Sequence, residues 1–316
     1  MALGEQILRF YLKVFSFLSI LVIYFFYLFL VREINLKNDF FLIKKNENYI
    51  NIINNNIIDN KINLFFYQLS LKTLLYLNNE IHFGKFKLKE NPTYYQILNS
   101  IILPSRFYNN ITIVEGWSKN DLNINLSKFF DDFSEIDYDK IIADTYILSD
   151  GSSFLTFKKQ LDEKFLLIKN KFKDHILLQK YSLKEIFIIG SLLEKEGINY
   201  EDKKKIYSVI TNRLKLNMKL QIDATVIFSL TEGKRDLERK LTYGDLKIDN
   251  PYNTYKNYGL PPGPISYVGY KTIELIFEDY KTDYLFYFYN SLESKHIFSL
   301  NYKDHLNKLN EYRSKK

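Results

Sequence analysis

Between Val14 and Val31 the chain carries no charged side chain, and the interior of that run reads Phe-Ser-Phe-Leu-Ser-Ile-Leu-Val-Ile-Tyr-Phe-Phe-Tyr-Leu-Phe-Leu. Extended back to Phe10, it matches the roughly 20 residues that an α-helix needs to cross a bilayer. A cleaved signal peptide would have a shorter apolar core followed by a small-x-small site, and neither is found here. A helix of a soluble core is seldom apolar on every side. The expectation is a transmembrane helix over residues 10–31 with a short tail at 1–9. Charge leaves its direction nearly undecided. Arg9 and Lys13 precede the run, opposed by Glu5, while Arg32, Lys37, Lys44 and Lys45 follow it. No second run of this kind follows, so everything after it is expected on one side of the membrane.

The rest is composed like a protein with a real core, 46% apolar and 26% charged. The chain is rich in Ile, Asn, Lys, Tyr and Phe throughout, so its net charge of +7 reflects Lys abundance as readily as attraction to an acidic partner. The basic residues are scattered, which is unlike a nucleic-acid footprint. The absence of Cys excludes disulfides, thiolate nucleophiles and cysteine metal sites. Four histidines (His82, His175, His296, His305) show no metal-ligand spacing, and no cofactor is expected.

Periodicity predicts a mixed α+β chain. The low-complexity stretch Asn46–Asn63 has Ile spacing that permits a helix, and Leu69–Leu77 reads as another. His82–Leu88 alternates like a strand. A turn at Asn91-Pro92 leads into a helix around Tyr94–Ile101. Phe107–Val114 reads as a strand ended by Glu115-Gly116. Phe129–Thr145 is acidic and gives no clear element, whereas Phe154–Leu178 reads as one long amphipathic helix.

Chemistry concentrates after Tyr181. Leu183–Glu196 reads as a helix capped by Ser182 with Glu185 at the third position, and Gly197 stops it. It holds two carboxylates, Glu194 and Glu196. At about 100° per residue they point roughly 200° apart, so they cannot pair in one cleft. Glu196 continues the stripe Ile189–Leu192–Leu193 at the end where that stripe opens, a place where desolvation raises a carboxyl pKa. On spacing alone an ordinary C-terminal glutamate reaching for water remains open. Glu194 falls near Phe187 and Gly190, in a position to be solvated or paired with a lysine. Downstream, Tyr252, Tyr255 and Tyr258 set amphipathic rings beside Asn253, a mixture suited to sugars. The loop Gly259-Leu-Pro-Pro-Gly-Pro264 needs unusual dihedral angles.

Several of these segments resemble the signature blocks of the YceG-like family, that of the endolytic murein transglycosylases. They are Ser191-Leu-Leu-Glu-Lys-Glu196, Val209-Ile-Thr-Asn-Arg-Leu214, Met218-Lys-Leu-Gln-Ile-Asp-Ala-Thr-Val-Ile227, Tyr252-Asn-Thr-Tyr255 and Gly259-Leu-Pro-Pro-Gly-Pro-Ile265. They stand in the family's order and close to its spacing. Ser299-Leu-Asn-Tyr-Lys-Asp-His305 is similar to its closing block. Phe83-Gly-Lys-Phe and Val114-Glu-Gly116 are similar to parts of the LysM-like module that precedes the catalytic domain. The resemblance implies a LysM-like module over 32–122, a catalytic domain over 123–316, and a single-pass protein of the cytoplasmic (inner) membrane. Its tail would be cytoplasmic and its domains extracytoplasmic.

Carried over by position, the resemblance places the catalytic acid/base on Glu196. Asn212, Gln221, Asp223, Thr225, Tyr252, Asn253 and Tyr255 fall on positions that line the substrate cleft. Ile222, Ala224 and Gly190 depart from a small hydroxyl residue, a proline and an alanine, and Ala143-Asp-Thr-Tyr146 keeps only the end of its block. The implied reaction breaks the MurNAc–GlcNAc β-1,4 bond of nascent peptidoglycan strands, leaving 1,6-anhydroMurNAc ends, and so terminates strands during wall assembly. Peptidoglycan synthases are the implied partners. Two alternatives stand beside it. One is a hydrolase in which Asp223 positions water; the other is a non-catalytic membrane adaptor that holds glycan.

Overall fold

A computed structural model describes residues 2–44, 47–77, 81–103, 105 and 107–315. Lys45 and Asn46, which fall in the segment after the apolar run, lie outside them. In chain order the elements are α1 (Ala2–Phe26, continued by a π-helical turn, Tyr27–Val31), β1 (Asn35–Leu36), β2 (Phe41–Ile43), α2 (Tyr49–Asn56), β3 (Ile57–Ile58), α3 (Lys61–Tyr76), β4 (Gly84–Phe86), α4 (Tyr94–Ile101) and β5 (Tyr108–Thr112). Then come α5 (Lys119–Leu126), β6 (Ile142–Ala143), β7 (Thr145–Ser149), α6 (Phe154–Phe172), α7 (Leu183–Glu196), α8 (Tyr200–Lys215) and α9 (Asp223–Thr231). The last are β8 (Val268–Gly269), α10 (Tyr270–Phe277), β9 (Phe286–Asn290), β10 (Lys295–Ser299) and α11 (Tyr302–Lys315). The mixed α+β class expected from periodicity is what forms, led by one apolar helix.

The chain divides into two compact units, residues 1–110 with 147–153, and residues 111–146 with 154–316. In the first, β2 and β4 pair antiparallel with Phe41 opposite Phe86, and α2 and α3 lie between them in sequence. Its core gathers Leu28, Phe41, Ile53, Tyr67, Leu71, Phe86 and Tyr94. The Asn-rich stretch is two helices, separated where Ile57–Ile58 pairs with Asn35–Leu36. Asparagine explains the break, because its short amide competes for backbone groups. Asn48 caps α2 through Asn51 N–H at 2.9 Å, and Asn60 caps α3 through Asn63 N–H at 3.0 Å. As a result α3 begins eight residues before the Leu69 expected from periodicity.

The second unit is built around α7. Ser182 and Glu185 form the expected capping box. From Ile186 to Leu193 every residue of α7 is buried, so the single stripe read from the sequence is too narrow. Helices α8, α9 and α10 and strand β8 surround it. Gly190 is the point of closest approach to β8, where a Cβ would come within 2.6 Å of Val268 Cγ1. Gly197 ends the helix with φ −85°, so it is not a left-handed cap. A Cβ there would strike Lys203 Cγ at 2.2 Å, and space is what demands glycine.

The long helix expected over Phe154–Leu178 stops at Phe172, and a 3-10 turn follows at Ile176–Gln179. His175 starts that turn by accepting the Leu177 N–H on Nδ1 at 3.2 Å. The acidic stretch after Phe129 is largely irregular. It buries Ile136, Tyr138 and Ile141, then pairs Ile142 in parallel with Val268.

Candidate active site

The two glutamates of α7 have separate surroundings, as their angular separation requires. Glu194 has a side chain only 2% exposed and forms an ion pair with Lys203. Its Oε1 accepts the Gly269 N–H at 3.0 Å. The expected lysine pairing is therefore present, and the alternative of a solvated side chain is not.

Glu196, one helical turn beyond Leu192, is partly buried and turns towards the β9–β10 hairpin. Its Oε2 accepts a hydrogen bond from Tyr287 Oη at 2.9 Å. Burial pushes the carboxyl above its ordinary range; the Tyr287 bond and His296 oppose that rise, and the negative charge of Asp223 adds to it. Tyr287 is itself driven far above the usual phenol range, first by burial and then by the carboxylate beside it.

Asp223 is the first residue of α9, exposed, and accepts a hydrogen bond from Tyr255 Oη at 2.6 Å. Tyr255 also feels the charge of Glu196. Glu196, Tyr287, Asp223 and Tyr255 thus form one electrostatic cluster with two tyrosine–carboxylate pairs. Gln221 lies two residues ahead of Asp223, exposed, with φ +52°. A non-glycine residue in the left-handed region stores strain of the kind often found at sites.

The other motif residues hold the frame. Thr225 is fully buried and shares a hydroxyl contact of 2.9 Å with Thr254. Asn253, also fully buried, donates to the Leu246 and Ile248 carbonyls at 3.1 and 2.8 Å. Asn212 donates to the Thr282 and Tyr284 carbonyls at 2.7 and 2.9 Å. Tyr252 faces elsewhere: its ring packs on Phe228 at 4.6 Å, and it lines a groove of about 160 Å³ with Lys119, Lys184 and Pro262–Pro264. A larger cavity, about 310 Å³ between α6 and the start of α7, contains none of the motif residues.

Periodicity and motif spacing did not single out Tyr287, His296, Asp202 or the structural role of Arg213. His296 Nδ1 lies 2.8 Å from Asp202 Oδ2, and its ring stands at 90° to that of Tyr287 at 5.3 Å. Buried Arg213 donates to the Leu285 and Leu220 carbonyls, tying the hairpin to the segment before α9. In a chain with 26 tyrosines, Tyr287 carries no signal of its own. Only the register of the hairpin, with Tyr287 opposite Phe298, brings it to Glu196.

Comparison with known proteins agrees with the motif reading. The profile of the YceG-like family matches residues 43–311, far more than the motif blocks alone. A protein of Bacillus subtilis named endolytic murein transglycosylase is 39% identical over 145 residues, 46% of this chain and 39% of that protein. One of the same name from Streptococcus pneumoniae is 36% identical over 127 residues, 39% of this chain and 23% of the relative. The match thus spans well under half the length of either relative. The crystal structure of a yceG-like protein from Listeria monocytogenes aligns with 85% of this chain and 98% of its own, with a TM-score of 0.55 and 24% identity, a likeness of fold.

Proposed function

The chain belongs to the YceG-like family, and from that premise we propose that it is an endolytic lytic transglycosylase of peptidoglycan with Glu196 as its acid/base. The observation that carries the proposal is the setting of Glu196, whose carboxyl is raised by burial and held through one oxygen by Tyr287. An acid that must keep its proton near neutrality needs such a setting. The names of the two curated relatives support the same substrate class.

In this reading Glu196 gives its proton to the glycosidic oxygen between MurNAc and GlcNAc, and the C1–O bond breaks with positive charge developing on C1. The carboxylate left behind takes the proton of the C6 hydroxyl of the same MurNAc. The C6 oxygen closes on C1, so the new end is 1,6-anhydroMurNAc and no water is consumed. The proton lost in the first half returns in the second, and a single carboxyl suffices. A hydrolase would use a second carboxylate to activate water. Asp223, exposed and in the same electrostatic cluster as Glu196, is the carboxylate such a hydrolase would use.

Asp223, Tyr255 and Gln221 would hold the sugar, with Tyr252 further along the strand. Asn212, Thr225 and Asn253 would act by shaping the loops. The apolar N-terminal helix supports a single-pass anchor by its length and composition, and a murein substrate would place the two units outside the cytoplasmic membrane. The placing of α2 and α3, parted by the short strand β3, between the paired strands β2 and β4 supports a LysM-like, glycan-binding role for the first unit. Cutting nascent strands beside peptidoglycan synthases would make the enzyme a strand terminator. Mass analysis of uncrosslinked glycan digested by the purified protein tests the proposal. Internal cleavage giving anhydro ends with the native chain, and none with Glu196→Gln, is the expected result. Intact strands from a folded native sample would favour the adaptor.

A further inference from the structure

The outer end of the apolar helix is already occupied on one side by the first unit. Tyr24 Oη donates to Asn63 Oδ1 on α3 at 2.7 Å, and Phe66 of α3 packs edge-on against Tyr24 and Phe25. Leu28 is buried, and Phe29 meets Tyr94 of α4 at 5.7 Å. On its other side the same stretch leaves Phe26, Tyr27, Leu30 and Val31 exposed.

Length decides where the bilayer must lie, given that this helix is the anchor proposed above. The charge-free run Val14–Val31 spans about 27 Å as a helix, close to the roughly 30 Å of hydrocarbon. If the bilayer ended below Tyr24, only about 15 Å of charge-free helix would remain. Lys13 and Arg9 would then be drawn inward, and four large apolar side chains would face water. The run is therefore used to its end, and Tyr24, seven residues before Val31, sits about 10 Å inside the hydrocarbon boundary. Asn63 and Phe66 sit at that depth with it.

α3 is suited to the place. Ile62, Phe65 and Leu69 recur at spacings of three and four, on one face, and are 65%, 57% and 46% exposed. Ile62 is about 40° around the helix from Phe66, so this face adjoins the anchor. Asp59 and Asn63 at the start of α3 are satisfied internally, and the exposed Lys61 beside them has a side chain long enough to carry its ammonium out to the headgroups. Asp59 accepts from Arg32, Asn63 and Asn60, and Asn63 from Tyr24. We propose that α3 is seated in the leaflet next to the first unit, its Ile62–Phe65–Leu69 face against lipid acyl chains beside the anchor. The first unit then rides in the membrane surface and is not free on a tether, at the depth usual for interfacial helices.

The chain has no native cysteine, so single labels can be placed at will. Phe65→Cys, Leu69→Cys, Ile20→Cys and Asn51→Cys, each with an environment-sensitive fluorophore, would be reconstituted as full chains. The vesicles would be of dioleoyl phosphatidylcholine and phosphatidylglycerol, part of the lipid brominated along one acyl chain. The expected result is blue-shifted, bromine-quenched emission at Phe65 and Leu69 as well as at Ile20, with Asn51, exposed on α2, unquenched. Quenching at Ile20 but at neither α3 position would overturn the inference and leave the anchor standing. No quenching at Ile20 would overturn the anchor reading and the inference with it.

Discussion

Two carboxylates only two positions apart on α7 have opposite surroundings, and the difference makes their roles separable. Glu194 is locked to Lys203 and the Gly269 amide, so Glu194→Gln leaves a largely buried ammonium with only the half-exposed Glu115 carboxylate, 3.9 Å away, as counter-charge. It should cost about 3 kcal/mol of stability, seen as a lower denaturation midpoint, while turnover at a permissive temperature stays near native. Glu196→Gln should do the reverse, abolishing turnover with the midpoint unchanged or raised, because it removes a carboxyl that burial disfavours. The pH profile gives a second test. In the proposed reaction the first step needs protonated Glu196, so activity should fall as pH rises through its raised pKa. Asp223→Asn deletes a charge that raises that pKa and should move the alkaline limb of kcat/KM to lower pH. Tyr287→Phe deletes a hydrogen bond that lowers it and should move the limb to higher pH. The same sign governs stability. Glu196 stabilises the fold fully only while neutral, below its unfolded pKa, and that contribution fades as pH rises through the folded value. Of these residues Glu194 and Glu196 could be told apart in the sequence, since 200° of helix rotation is arithmetic. Tyr287 could not, because nothing local distinguishes it among so many tyrosines.

At the scale of elements, α4 and α7 have the limits that their sequences predict, Tyr94–Ile101 and Leu183–Glu196. Each begins with a capping box that satisfies its first amides by side chains close in sequence. Ser182→Ala should therefore cost about 1 kcal/mol by thermal or urea unfolding. Elements whose limits depend on distant partners were not legible. The Asn-rich stretch splits where Ile57–Ile58 finds Asn35–Leu36, whereas α6 ends by a local cause, just ahead of the turn that His175 starts by accepting the Leu177 amide. The departure at Gly190 also has a tertiary cause. An alanine there meets Val268 Cγ1, so Gly190→Ala should destabilise by about 1–3 kcal/mol, and Val268→Ala in the same chain should recover most of the loss. Additive losses in that double variant would contradict the packing account.

For the whole molecule, the sequence foretold an apolar helix followed by a mixed α+β chain, and both are present. What it could not reveal is how the chain closes its units, since residues 147–153 return to the first after a long excursion in the second. Topology is tested by reporter fusions after Lys45 and after Lys316, both expected to report the extracytoplasmic side. A cytoplasmic signal from either would remove the proposed substrate from reach. In the proposed reaction one carboxyl, Glu196, acts first as acid and then as base, with the sugar's own hydroxyl as nucleophile. Digestion of uncrosslinked glycan in water enriched in heavy oxygen tests it most directly. Anhydro ends without label are the predicted result, whereas labelled reducing ends as the main product would contradict it and assign the base to Asp223.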